Sequence, residues 1–173
     1  MSWKRMPFAA CCLWLLASPA GAQTLFTEVT DQAFLGPLTV DRAITFGDYD
    51  NDGWPDLFLA WPPAGATGLG HALALWHNEG NGRFADRTAA LQGELTPKWA
   101  GGGAIFGDYD NDGDLDLFVP IGTFVSEEAD QNILLRNERG VFRDVALEAG
   151  LTDSLPTDNA IWLDYDRDGY LDL

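Results

Sequence analysis

Three ten-residue segments place aspartates in one fixed pattern: DYDNDGWPDL from Asp48, DYDNDGDLDL from Asp108 and DYDRDGYLDL from Asp164. Positions 1, 3, 5 and 9 are Asp48, Asp50, Asp52 and Asp56 in the first loop. They are Asp108, Asp110, Asp112 and Asp116 in the second, and Asp164, Asp166, Asp168 and Asp172 in the third. Glycine at position 6 (Gly53, Gly113, Gly169) permits the positive φ of a sharp turn, and position 7 (Trp54, Asp114, Tyr170) can offer its backbone carbonyl. Hard oxygen donors at alternate positions around such a glycine are the opening of a Ca²⁺ loop. An EF-hand would also need a bidentate Glu at position 12 and helices on both flanks. Position 12 here is Leu59 and then Val119, and the flanks read as strands, so position 9 has to close the site.

The electrostatics argue against plain solvated turns. Four carboxylates about 5 Å apart repel in six pairs, each costing ~0.8 kcal/mol in water and about 3 kcal/mol at an effective dielectric near 20. A cation removes that cost. Mg²⁺ is disfavoured because it prefers few carboxylates and several waters. Zn²⁺ is disfavoured because His71 and His77 are the only histidines and the two cysteines, Cys11 and Cys12, lie in an apolar leader. His77 sits in a strand where the next unit has Arg136, and the expectation for it is an ordinary surface role. His71 lies in a Gly-rich loop with no triad neighbour, so neither histidine supports a catalytic centre.

The elements that hold these loops repeat with them. The loops start 60 and 56 residues apart, and each follows an apolar run: Ala43–Phe46, Ala104–Phe106 and Ala160–Leu163. Strands Leu57–Trp61 and Leu117–Ile121 follow the first two. Further on, Ala74-Leu75-Trp76-His77-Asn78 matches Ile133-Leu134-Leu135-Arg136-Asn137, and each leads through a glycine turn to Phe84/Asp86 or Phe142/Asp144. The same Phe-x-acid pair stands at Phe26/Glu28, so the phenylalanines recur every 58 residues. No segment holds a 3.6-residue period over three turns; Thr88–Gln92 and Ala146–Gly150 can each make one helical turn. Strand, acidic loop, strand, long loop, strand, glycine turn, strand is the blade of a β-propeller. The expected fold is all-β, a partial propeller of four-stranded blades. Trp76 and Trp162 belong to strand patterns and are expected between blades; Trp54 and Trp61 are the better candidates for exposed glycan-stacking positions.

The chain has 173 residues, and its 20 Asp, 7 Glu and 10 Lys+Arg give a net charge of −17. That balance offers nucleic-acid phosphates nothing to bind. Lys4 and Arg5, the apolar run Phe8–Leu16 and the small residues Ala20-Gly21-Ala22 read as a signal peptide over 1–22, too short to span a bilayer. Removing it leaves residues 23–173 with a charge of −19 and no cysteine, hence no disulfide for an exported protein to use. The expected location is secreted, periplasmic or extracellular.

The run F-G-D-Y-D-N-D-G-D-L-D-L, with N-x-L-L-R-N and G-x-F-x-D-V after it, resembles the FG-GAP/VCBS repeat. It is most similar to secreted proteins that carry an ASPIC/UnbV-type C-terminal domain, the cartilage acidic protein-like family. The similarity covers about residues 24–173 and implies an integrin-α-like propeller with Ca²⁺ between the first two strands of each blade. The ligand roles it implies fall on the twelve aspartates above and on the carbonyls of Trp54, Asp114 and Tyr170. Two departures stand out: the third copy replaces Phe-Gly by Trp162-Leu163, and Arg167 replaces Asn51 and Asn111. At 58 residues per unit, 23–173 holds about 2.6 units, whereas a closed propeller has roughly 4–8 blades. The sequence is therefore expected to be an N-terminal fragment whose missing C-terminal blades complete the ring. A module that binds a protein or glycan partner fits this pattern; the alternative is an enzyme on the same scaffold, such as a polysaccharide lyase or phosphodiesterase.

Overall fold

The computed structural model describes residues 29–33, 43–60, 73–92, 103–122, 131–152 and 155–173. The proposed signal peptide, the strand around Phe26, His71 and Trp61 lie outside them. Among the described residues the fold is all-β apart from a four-residue helical turn, α1 (Thr30–Ala33), and a 3₁₀ turn at Thr88–Ala90.

The first sheet contains β1 (Ala43–Gly47), β2 (Asp56–Ala60), β3 (Leu73–Asn78) and β4 (Phe84–Asp86), in that order and antiparallel throughout. The second repeats it with β6 (Ile105–Gly107), β7 (Asp116–Val119), β8 (Ile133–Asn137) and β9 (Phe142–Asp144). One strand exceeds the expected four: β5 (Leu91–Gln92) leaves the first unit and pairs parallel with β9, capping the outer edge of the second sheet. In the third unit Leu163 and Asp172 form a lone antiparallel bridge. Its register is that of Gly47↔Asp56 and Gly107↔Asp116, so all three acidic loops hang from the same rung.

This is the architecture of a partial β-propeller, and its burial shows why. Strands β2 and β7 are buried at every residue, as strands covered on both faces must be. Phe58 and Ala60 join Leu117, Val119, Leu135 and Phe142 in a core between the two sheets. Phe118 and Leu134 point the other way, toward Trp162 of the third unit. Trp76 packs with Leu57, Leu59 and Phe84. Trp162 thus packs against the neighbouring unit as expected, whereas the residues around Trp76 all belong to its own sheet.

The Phe-Gly pair has a steric role. A Cβ on Gly47 would sit 2.5 Å from Phe106 Cδ2, and one on Gly107 would sit 2.5 Å from Trp162 Cδ1. Each unit's inner strand therefore seats the next unit's aromatic on a bare glycine backbone. Gly47→Ala should cost about 1–3 kcal/mol through overpacking, read as a lower urea midpoint. In a Phe106→Ala background the same change should cost clearly less, since the clashing ring is gone. Equal costs in both backgrounds would show that the ring does not set the requirement for glycine.

Candidate metal centre

Each acidic loop is wound by its own aspartates. The position-1 carboxylate accepts the N–H groups of positions 5 and 6: Asp48 from Asp52 and Gly53 at 3.0 and 2.9 Å, Asp108 from Asp112 and Gly113 at 3.0 and 3.1 Å, Asp164 from Asp168 and Gly169 at 3.1 and 3.2 Å. The position-5 carboxylate accepts the N–H of position 7, from Trp54, Asp114 and Tyr170, at 2.8, 2.9 and 2.8 Å. These bonds need two left-handed residues per loop. Position 6 has φ of 91°, 95° and 91°, and position 4 (Asn51, Asn111, Arg167) has φ of 58°, 60° and 66°. Asparagine tolerates that region better than most residues.

Position 9 opens the following strand and is held from two sides. Asp56 Oδ2 accepts the Tyr49 N–H and its Oδ1 the Asn78 N–H, at 3.2 and 2.7 Å. Asp116 does the same with Tyr109 and Asn137, at 3.1 and 2.8 Å. Both aspartates are fully buried. Asp172 accepts the Tyr165 N–H at 2.8 Å and is exposed.

The result is a repeated group of carboxylates. Oxygens of Asp108, Asp110 and Asp116 lie within 4.8 Å of one another, as do those of Asp164, Asp166 and Asp172. In the first loop two such groups overlap, Asp48/Asp50/Asp52 and Asp50/Asp56/His77. Positions 1, 3 and 9 are therefore brought together in the second and third loops, while Asp112 and Asp168 stand outside those groups and serve the turn. Of the position-7 residues, Asp114 turns its side chain away, accepting from Asn51 Nδ2 and from the Arg139 N–H, both at 3.1 Å. Trp54 is half-exposed and covers Gly80, where a Cβ would lie 2.6 Å from its Nε1; Tyr170 is exposed.

One expectation is corrected. His77 is not an ordinary surface residue: its side chain is 17% exposed, and its ring faces Asp50, Asp52 and Asp56. The β2–β3 register causes this, because His77 precedes Asn78, whose N–H holds Asp56. Spacing along the sequence gives no sign of that proximity.

Other asparagines join the loops to each other. Asn51 Nδ2 donates to the Gly113 carbonyl at 3.0 Å and Asn111 Nδ2 to the Gly169 carbonyl at 2.9 Å. Buried Asn137 donates to the Tyr49 and Leu115 carbonyls at 2.7 and 3.1 Å and accepts the Gly140 N–H at 2.7 Å. Asn78 makes the matching local bonds to the Pro55 carbonyl and from the Gly80 N–H. Their in-phase recurrence was the available signal for these roles.

The clusters are electrostatically unsatisfied. Burial pushes the Asp116 carboxyl up from 3.8 to about 7, against the pull of the Asn137 and Tyr109 N–H groups and with added repulsion from Asp110 and Asp112. Asp56 is raised, chiefly by burial, and so is Asp110, where Asp112 and Asp108 add to the effect. Asp110 Oδ1 is sealed from solvent and has no hydrogen-bond partner. A carboxylate oxygen left bare among other carboxylates fits a cation ligand, and the all-oxygen sets of the second and third loops suit a hard ion.

A family model described as FG-GAP-like repeat matches residues 48–119, from the first residue of the first loop to the end of β7. No curated protein is significantly similar to the chain, and no solved structure is either.

Asp116 also sets a pH dependence. Its folded pKa lies above the unfolded value, so between about pH 4 and 7 the folded state binds the extra proton and stability falls as pH rises. In chelator, the melting temperature should drop across that window, and Asp116→Asn should flatten the Asp116 part of the drop. A cation that binds only the ionised cluster would oppose it. A wild-type profile that matches Asp116→Asn in chelator would contradict the assignment.

Proposed function

We propose that this chain is a Ca²⁺-stabilised propeller-type repeat module of an exported protein, whose surface engages a protein or glycan partner. The observation that carries the reading is the repeated grouping of carboxylates at positions 1, 3 and 9, with position 9 buried in two loops and Asp110 Oδ1 left without a donor. The similarity of residues 48–119 to FG-GAP-like repeats supports it. Ca²⁺ would be held by Asp108, Asp110 and Asp116 and by Asp164, Asp166 and Asp172, with carbonyls from Asp114 and Tyr170, and the first loop offers Asp48, Asp50, Asp52, Asp56 and the Trp54 carbonyl to a divalent cation. The ion supplies charge neutralisation and oxygen coordination that the loop's own N–H groups do not.

Export is proposed from the basic, apolar and small-residue segments of 1–22. It suits such sites, since extracellular Ca²⁺ modules work with dissociation constants of about 10⁻⁴–10⁻³ M. Half-exposed Trp54, beside the first loop, is a surface on which a sugar ring could stack. The chain is proposed as a binding module rather than an enzyme, and His77, a candidate base by residue type, is turned into the acidic cluster. Among the described residues no helix is long and apolar enough to cross a membrane.

Thermal unfolding of the full chain, with and without chelator, tests the calcium reading. A ligand that binds only the folded form adds ~2.7 kcal/mol per site at 100 times its dissociation constant. At about 2–4 °C per kcal/mol, one such site raises the melting temperature by about 5–10 °C. Asp110→Ala should remove the second loop's calcium-dependent increment. Asp114→Ala should lower stability similarly with and without calcium, because it loses the contacts to Asn51 and Arg139 rather than a side-chain ligand. An unchanged curve on chelation, or a larger loss of calcium response from Asp114→Ala, would contradict the ligand assignment.

A further inference from the structure

The first loop differs from the others in having an imidazole among its carboxylates. His77 Nδ1 lies 3.1 Å from Asp50 Oδ2 and 3.1 Å from Asp56 Oδ1, and Nε2 lies 3.8 Å from Asp52 Oδ2. Tyr49 packs edge-on to the ring, with centroids 6.4 Å apart, and holds it over the loop. The second loop has no counterpart: the equivalent residue is Arg136, whose guanidinium pairs with Glu138 and can only donate. Its remaining donors, Asp108, Asp110 and Asp116, are all oxygen.

The spacing suits a small cation. Bonds of about 2.0–2.1 Å put neighbouring ligand atoms about 3.0–3.4 Å apart, between octahedral and tetrahedral angles. Both Nδ1–oxygen distances, which are also those of hydrogen bonds to the ring, fall in that range, and one ligand atom from each of Asp50, Asp56 and His77 lies within 4.8 Å of the others. Ca²⁺ takes oxygen at 2.3–2.6 Å and gains little from a nitrogen donor, whereas imidazole favours later first-row metals. Coordination through Nδ1 leaves the proton on Nε2, and Asp52 puts its negative charge on that side of the ring.

We propose that the first loop is a mixed-donor site, in which His77 Nδ1 with Asp50 and Asp56 selects a zinc-class divalent cation over calcium. The proposal rests on the reading that the loops bind cations, and it adds a selectivity that sets the first loop apart from the other two. It also reverses the case against Zn²⁺ made from residue counts, since one imidazole joins Asp50 and Asp56 in a three-donor group, the number of protein ligands in an open zinc site.

Calorimetric titration of Zn²⁺ into the full chain, without a histidine tag and in millimolar Ca²⁺, is the test. One Zn²⁺ per chain should bind despite the calcium. His77→Gln should weaken that binding at least about ten-fold, the lower end of what even an outer-shell ligand partner is worth. His71→Gln should leave it unchanged. In the wild type, Zn²⁺ should shift the His77 Nδ1 resonance, a readout independent of how either variant folds. Zn²⁺ affinity within two-fold of wild type in His77→Gln, loss of binding in His71→Gln, or an unmoved Nδ1 resonance would overturn the mixed-donor site. Calcium binding without Zn²⁺ preference would defeat this inference alone; absence of binding by either ion would defeat the proposed function with it.

Discussion

Like charges forced into one small space are the constraint on which this structure depends. The second and third loops direct carboxylates from positions 1, 3 and 9 toward a common point, the first gathers Asp48, Asp50 and Asp52 beside Asp50 and Asp56, and two of the position-9 carboxylates are fully buried. The loop's own N–H groups partly compensate. They give each oxygen of Asp48, Asp108 and Asp164 one donor, and they hold Asp56 and Asp116 from two directions. They do not reach Asp110 Oδ1, and they leave the Asp116 carboxyl raised to about 7. A proton or a cation can cancel the remaining charge, and at neutral pH only a cation does so for all the members of a cluster together.

The same loops connect the units. Asn51 and Asn111 each reach from a left-handed position to the glycine carbonyl of the next loop. On the inner strands, Gly47 and Gly107 receive Phe106 and Trp162. Tyr49 packs on Phe142 at a centroid distance of 5.6 Å, and Asn137 holds the Tyr49 carbonyl, so the first loop is fixed to the second sheet. A charge imbalance inside one loop is therefore felt at a unit interface, and a bound ion would stiffen the stack as well as the turn. This matters for a chain in which residues 23–173 carry no cysteine and can form no disulfide.

Much of this was legible in the sequence because the repeats are in phase. Strand order within a unit, the shared setting of the loops and the partly buried Trp76 and Trp162 follow from spacing and apolar runs. The roles of Asn51, Asn111, Asn78 and Asn137 were less visible, although each pair recurs, because an asparagine beside a glycine turn reads as turn chemistry alone. Strand β5 was missed because two residues carry no pattern, and their partner Phe142 lies about fifty residues further on. His77 was misplaced because periodicity gives the face of a strand but not what a loop twenty residues earlier puts against that face. Asp112 and Asp168 share a spacing with the cluster members and, like Asp52, give one oxygen to the N–H of position 7.

The central claim is that a cation completes these carboxylate clusters, and a crystal structure of the full chain grown in calcium tests it most directly at the second loop. The account predicts a density peak stronger than water, with bonds of about 2.3–2.6 Å to oxygens of Asp108, Asp110 and Asp116. Asp110 Oδ1 would then no longer lack a partner. A water molecule or no density at that point in saturating calcium, with the three carboxylates turned apart, would contradict it.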